Sequence, residues 1–536
     1  MTDNSIGALV QFHRQRIASL LKRQEQQLRA QQSLSSLASS VNTTITSPLP
    51  ASETFLTIPE LVLTVLKFLP TKNLPQVCLV CNLWSALAQP ILWRQDIRLE
   101  SDFQIQAFAT SVITHGAWVQ SLDFSTRKDD EEGISLTHID LTNIIPYTPR
   151  LRSIDVRDRT MDEHPLILLA PCSQLESIAF SQCQARILEF GVDDNRDFFS
   201  AWPQLKHLRI SGTDKECISS ASASLEKALV SSKSLHLETL ELDFFRFWCP
   251  STIHHLVRTN AGHLRHLDIA TCKFSLLEFE KILARATQLE SLGLHRCPYS
   301  VECLLRIAET HPQLKRLSLT DWFDFPIDVV TQVARACPLL EFLELEECGD
   351  MGIAARQFLA HCPRLRTLSL FPLEGPNVMN LFLGEPWVCQ GLEEFRVEAI
   401  EYQPDEFPSA EARNRAIRAM WQQLAAQTRL QSLLLQFSLP KSGAKVLHPD
   451  GDFRNSPQSK KNRILLDDGL HQLGALKRLK HLGVIGYSTW DFADVEWMAR
   501  SFPWLELFWY HRDDMTVPQW SWLRTHRPEI ELIPNL

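Results

Sequence analysis

At 536 residues the chain exceeds what one ordinary core supports, so several domains or one extended repeat array is expected. Hydrophobic residues make up 44% and charged residues 22%, the balance of a folded protein rather than a disordered one. A formal charge of −9 and a pI near 6.1 exclude the concentrated basic face of a nucleic-acid binder, and no apolar run approaches the ~18 residues that cross a bilayer.

The first ten residues include Asp3 and Asn4 and lack an apolar signal core. Thirteen cysteines, an odd number scattered along the chain, do not make a disulfide framework. A reducing compartment, cytosol or nucleus, is therefore expected, and the sequon Asn42-Thr43-Thr44 reads as chance. Residues 1–54 form a polar tail and a Ser/Thr-rich linker ending in Ser47-Pro48-Leu49-Pro50. Val10, Ile17, Leu20, Leu21 and Leu28 permit a short amphipathic helix there, but Gln24 interrupts the seam and a solvated tail is the expectation. Residues 55–99 are denser in apolar side chains and predict a small domain of short helices.

From residue 100 onward a repeat dominates. The string L-x-x-L-x-L, with apolar exchanges, starts at Leu237, Leu264, Leu289, Leu314, Leu340, Leu365 and Leu392, spaced 27, 25, 25, 26, 25 and 27 residues apart. Looser copies start upstream at Val119, Leu151, Leu175 and Leu205, and downstream at Leu430, Leu479 and Leu505, making fourteen. The alternating pair predicts a short strand with one apolar face, and each repeat returns through a helical segment such as Val329–Ala336. Prolines before the strands, such as Pro312, Pro338 and Pro363, mark helix ends. Such a unit cannot bury its leucines alone, so a continuous core forms by stacking. Insertions are expected near 401–427 and 438–470, and a cap at the C-terminus.

Cys183, Cys272, Cys297 and Cys348 occupy one slot, three residues beyond the last apolar strand position, and are read as buried structural thiols. Cys78-Leu79-Val80-Cys81 has no second pair at zinc spacing and reads as core. No phosphate-loop, dinucleotide, metalloprotease or nucleophile-elbow motif is present. No catalytic residue, metal or small-molecule cofactor is expected.

Recognition is the remaining function. Residues between and just beyond the strand leucines face away from the core, and the target-binding candidates are His295, Arg316, Phe342, Glu344, Glu346, Phe371, Glu394, Arg396, Glu398 and Trp509. Glu344, Glu346, Glu394 and Glu398 suggest an acidic patch suited to a basic segment, with solvated charge as the plainer alternative. Trp509, Trp520 and Trp522 serve either as anchors or, preferably, as the cap. Lys441, Lys445, Arg454, Lys460, Lys461 and Arg463 make 438–463 a basic loop, read as solvated.

These strings resemble the leucine-rich-repeat family. The resemblance implies an α/β solenoid, a horseshoe or arc with a concave parallel sheet and convex helices, over 100–536. Residues 55–99 resemble another family, the F-box, through Ile58-Pro59-Glu60-Leu61-Val62, Val65-Leu66, Leu69, Leu74, Val77-Cys78-Leu79-Val80-Cys81, Trp84 and Leu92-Trp93. Asn73 and Leu83 stand where that family often has an acidic and a polar residue. The F-box resemblance implies that Ile58, Pro59, Leu61, Val62, Val65, Leu66, Leu69, Leu74, Val80, Cys81, Trp84, Leu92 and Trp93 bind a Skp-type linker subunit and, through it, a cullin–RING ubiquitin ligase. The implied protein is a target-recognition adaptor of an SCF-type ligase, with no nucleic acid or membrane partner. The alternative is a repeat scaffold or inhibitor outside any ligase, with 55–99 only a helical cap.

Overall fold

The computed structural model of the chain describes residues 59–69, 73–125, 137–161, 165–181, 183–185, 198–211, 229, 235–243, 250–270, 275–297, 301–322, 326–371, 381–384, 386–401, 409–438, 469–485, 490, 492–511 and 515–535. The tail 1–54, Ile58, Cys272 and nearly all of the basic loop 438–463 lie outside them. The chain divides into two compact units between Leu92 and Trp93.

The first unit is helical: α1 (Pro59–Phe68), α2 (Leu74–Val77) and most of α3 (Asn82–Trp93). Pro59 begins α1, where its missing N–H leaves no hydrogen bond unmade. Val62 and Leu66, one turn apart, bury the inner face of α1. They meet Leu74, Val77 and Ala88, while Leu69, Trp84, Leu87, Ile91 and Leu92 pack partly against this small core.

The second unit is built on one parallel sheet whose sixteen strands follow chain order. They are β1 (Asp96–Arg98), β2 (Ser121–Phe124), β3 (Ser153–Arg157), β4 (Ser177–Ser181), β5 (His207–Ser211), β6 (Thr239–Asp243), β7 (His266–Ala270) and β8 (Ser291–His295), then β9 (Arg316–Thr320), β10 (Phe342–Glu346), β11 (Thr367–Phe371), β12 (Glu394–Glu401), β13 (Ser432–Ser438), β14 (His481–Ile485), β15 (Leu507–His511) and β16 (Glu531–Asn535). Strands β2 to β15 each start two residues after one of the fourteen repeat starts. Register follows the leucines: Leu292 pairs with Leu317, Leu294 with Leu319, Leu343 with Leu368. All of these are buried. Two strands, β1 and β16, extend the array beyond the fourteen expected.

Return segments vary along the unit. Helix α4 (Asp102–His115) follows β1, and α5 (Pro165–Leu169) is a single short turn. The regular repeats use α6 (Pro250–Asn260), α7 (Leu276–Arg285), α8 (Val301–Thr310), α9 (Ile327–Ala336) and α10 (Met351–His361). The expected insertion near 401–427 contains α11 (Ala410–Ala425), a longer return helix, before α12 (Phe492–Ser501) and α13 (Val517–His526) close the unit. Capping boxes start several of them: Ser101 with Gln104, Ser275 with Glu278 and Thr516 with Gln519.

Helix ends are satisfied by a ladder running from repeat to repeat. In the slot three residues before the first leucine, the backbone carbonyl accepts that leucine's N–H, as His311 does for Leu314 at 3.1 Å. The side chain in the same slot donates to the preceding repeat. His311 Nε2 meets Ala286 O at 3.0 Å, Cys337 Sγ meets His311 O at 3.8 Å, and Cys362 Sγ meets Cys337 O at 3.7 Å. Trp202 Nε1 donates to Leu169 O at 3.0 Å, and Arg527 Nη1 donates to Phe502 O at 3.3 Å in the last repeat. Carbonyls that every helix end leaves unpaired are thereby matched inside the core.

Candidate interaction surfaces

The first unit exposes apolar surface out of proportion to its core. Phe68 and Leu79 are each 84% exposed and Val80 62%, with Val65 and Cys81 also in solvent. Of the residues singled out in the sequence, Pro59, Val65, Val80 and Cys81 are exposed. Leu61, Leu69, Trp84 and Leu92 are half-buried, and Val62, Leu66 and Leu74 form the small core itself. Trp93 belongs to the second unit, its ring 5.6 Å from Phe108 and 5.1 Å from His115. Phe68 was not singled out, and the Cys78-Leu79-Val80-Cys81 string read as core instead stands largely in water; the apolar spacing matches that of the core residues beside it, and only packing separates the two groups.

In the second unit the sheet face away from the leucines carries the predicted recognition residues in rows. His295, Arg316, Phe342, Glu344, Glu346, Phe371, Glu394, Arg396, Glu398 and Trp509 all lie on it, at strand positions just before, between or beyond the buried pair. Much of the expected acidic patch is matched internally. Arg316 lies 3.6 Å above the Phe342 ring and 3.6 Å from Glu344, which also accepts Ser318 Oγ at 2.8 Å. Glu398 pairs with Arg396.

Upstream of that patch the face holds a cavity of about 310 Å³, running from Ser181 on β4 to Glu346 on β10. Arg209 pairs with Glu241 at its upstream end, and the hydrogen bond raises the guanidinium pKa. At its centre His295 bridges two neighbours: Nε2 lies 3.1 Å from Asp268, and Nδ1 lies 2.7 Å from Thr320 Oγ1. The Thr320 hydroxyl donates to Glu346 at 3.2 Å. Gly293 makes this possible, since a Cβ there would lie 2.6 Å from the Asp268 carboxylate that folds across it. Beyond the strand ends Arg296, Asp321 and Glu347 take positive φ of 51°, 62° and 50°. Their N–H groups continue the ladder, Arg296 to Thr320 O at 3.0 Å and Asp321 to Glu346 O at 2.9 Å. Arg296 pairs with Asp321 at 3.0 Å, and a hydrogen bond with Asp321 raises the Glu347 carboxyl. Arg209, Glu241, Asp268 and Arg296 were not singled out in the sequence, although the same register applied to Leu205, Leu237 and Leu264 reaches the first three.

The cysteine slot holds structural thiols. Cys183, Cys297 and Cys348 donate to strand carbonyls one repeat earlier, at 3.2, 3.7 and 3.5 Å. Burial pushes the Cys183 and Cys348 thiols up to about 12, far from the thiolate needed for reactivity. Cys337, Cys362 and Cys389 form a second buried set, at about 11, 12 and 12 for the same reason. Among the described residues no three His, Cys, Asp or Glu side chains gather to hold a metal ion, and no helix is long and apolar enough to cross a membrane.

The F-box-like family profile matches residues 59–97, the first unit and the segment into β1. No curated protein matches the chain in sequence. Among solved structures, the chain is similar to a leucine-rich-repeat protein of Leptospira interrogans at 14% identity, covering 85% of this chain and 92% of that one, with a TM-score of 0.32. It is also similar to the complex of Rad7 and Elc1 in yeast at 14%, covering 95% and 98%, with a TM-score of 0.38. The leucine-rich-repeat protein LegL7 of Legionella pneumophila stands at 14%, covering 58% and 98%, with a TM-score of 0.32. The family match and the repeat geometry define the class: an F-box-like segment followed by a leucine-rich-repeat unit with a parallel sheet and return helices.

Proposed function

We propose that this chain is a non-catalytic, target-selecting adaptor of an SCF-type cullin–RING ubiquitin ligase, acting in the cytosol or nucleus. The F-box-like unit docks on a Skp-type linker subunit, and the open sheet face of the repeats holds the target protein. The observation that carries this reading is the coincidence of the F-box-like match with the exposed Phe68, Leu79 and Val80. Large apolar side chains held in water mark a contact surface. Linker contacts would come from these three with Pro59, Val65, Cys81 and the exposed edges of Leu61, Leu69, Trp84 and Leu92, supported from beneath by Val62, Leu66 and Leu74. The chemistry belongs to other subunits: holding a target near the charged ubiquitin carrier raises the effective concentration of its lysines.

Co-purification of the full chain with a Skp-type linker tests the proposal. The intact chain is expected to bind, and Leu79→Ser/Val80→Ser to lose binding while melting as the parent does. A folded intact chain that leaves the linker in the flow-through refutes the adaptor role.

A further inference from the structure

We infer that the charged row one residue before the strands of the repeats is a register lock, fixing which repeat stacks on which. The lock goes beyond the adaptor reading and stands or falls without it.

The leucine core by itself does not specify the order of repeats. Strands β8 to β11 present the same inward pair: Leu292, Leu317, Leu343 and Leu368 form one column, and Leu294, Leu319, Leu345 and Leu370 the next. The inward pattern is the same whichever of these strands lies beside which. Arrays of such interchangeable units misassemble by pairing the wrong neighbours. Choosing the right neighbour needs a feature that penalises the wrong one.

The residue after the first leucine of each repeat is that feature. From Arg152 to Glu393 this position reads Arg, Glu, Lys, Glu, Arg, Glu, Lys, Glu, Arg, Glu over ten successive repeats, the sign changing at every junction. Outside this block the row reads Gln120 on one side and Gln431, Lys480, Glu506 and Glu531 on the other, and the strict alternation ends.

Backbone hydrogen bonds set the members side by side. Glu290 N–H donates to Arg265 O at 2.8 Å, Lys315 N–H to Glu290 O at 2.8 Å, and Glu341 N–H to Lys315 O at 2.7 Å. Side chains meet along the same line. Arg265 lies 3.0 Å and Lys315 2.7 Å from Glu290, Arg152 lies 3.5 Å from Glu176, and Arg366 lies 4.0 Å from Glu341. Glu290 is thus matched from both sides: the hydrogen bond from Lys315, aided by the charge of Arg265, holds its carboxyl below the usual range.

A slip of one repeat brings like charges together, Arg265 beside Lys315 or Glu290 beside Glu341. A slip of two restores the match, Arg265 beside Glu341. Each exposed pair contributes little alone. A misplaced repeat nevertheless reverses the sign at its junction while leaving the leucine pattern unchanged, so the row decides where the core is indifferent. The charges tolerate a shift of two repeats but not of one.

Hydrogen–deuterium exchange of the full chain, read over β8 and β9, tests the lock with a charge swap. Glu290→Lys/Lys315→Glu keeps an ion pair between these two positions but sets a cation beside Arg265 and an anion beside Glu341. Exchange in β8 and β9 is expected to be about tenfold faster than in the parent at 20 mM NaCl. At about 0.5 M NaCl, where charges act only within roughly 4 Å, the difference should close. Arg265→Lys/Lys315→Arg preserves every sign and should exchange as the parent does. A swap that matches the parent in low salt would reduce the row to isolated pairs and overturn the inference. So would an acceleration that survives 0.5 M NaCl, or one that the sign-preserving variant shares. Should the swap fold poorly, Glu290→Gln carries the test: faster exchange in low salt alone is expected, and no change overturns the lock.

Discussion

The two units of this chain handle apolar surface in opposite ways. In the first, a core of Val62, Leu66, Leu74, Val77 and Ala88 coexists with Phe68 and Leu79 standing in water. In the second, a continuous core of stacked leucines lies under a face whose side chains are mostly polar and already paired with one another. The described part of the first unit, fewer than forty residues, holds too little interior for every large side chain. Stacking repeats have no such limit, since each added strand buries the leucines of its neighbour. The small unit leaves large apolar side chains in water around a five-residue core, whereas the large one buries the leucines of its repeats almost completely.

The contrast is broken most directly in the stacked core. Leu343→Ala is expected to destabilise the chain by about 2–5 kcal/mol in denaturant titration, because the strands on either side hold the cavity open. A cost no larger than at a surface site would show that the repeats do not share one core.

The helix-end ladder comes next. His311→Ala removes one of the two hydrogen bonds the Ala286 carbonyl accepts, the Leu289 N–H supplying the other, and empties the buried site of the ring, at a cost of about 1–3 kcal/mol. Burial lowers the His311 pKa below the ordinary histidine value of 6.5. The unfolded chain therefore takes up a proton there before the folded chain does, and stability is full above pH 6.5 and falls as pH drops through the folded pKa. Melting the parent and His311→Asn between pH 7.5 and 5 checks the sign: the parent should lose more stability than the variant. Parallel pH profiles would remove His311 from the account.

The smallest effect is expected on the exposed side of the first unit. Phe68→Ser/Leu79→Ser should change stability by no more than about 0.5 kcal/mol, the range of ordinary surface positions. A larger loss would mean that these side chains support the unit itself rather than wait for a partner.

Much of the repeat unit was legible in advance. A strand follows every one of the fourteen L-x-x-L-x-L starts by two residues, since alternation and a period near 26 admit one inward face. The strands β1 and β16 escaped because neither Asp96-Ile97-Arg98 nor Glu531-Leu532-Ile533 carries the leading leucine; an end strand covers its neighbour on one side only. The candidate site was legible in its rows but not in its pairings. His295 and Glu346 were recognisable as outward residues, whereas their link through Thr320, and the loss of Glu344 to Arg316, depend on side-chain reach across strands.

What the amino-acid order determined by itself was periodicity: which residues face the core, where each strand begins, and which 39 residues match the F-box-like profile. Those are local properties, set by a repeat of two within strands and by turns that proline and polar residues punctuate. Tertiary structure decided which apolar residues of the first unit stay in water and which carboxylates of the second find a cation. The second depends on neighbours about 25 residues away in sequence and one strand spacing away in space, and the first on how three short helices pack together; no local pattern encodes either.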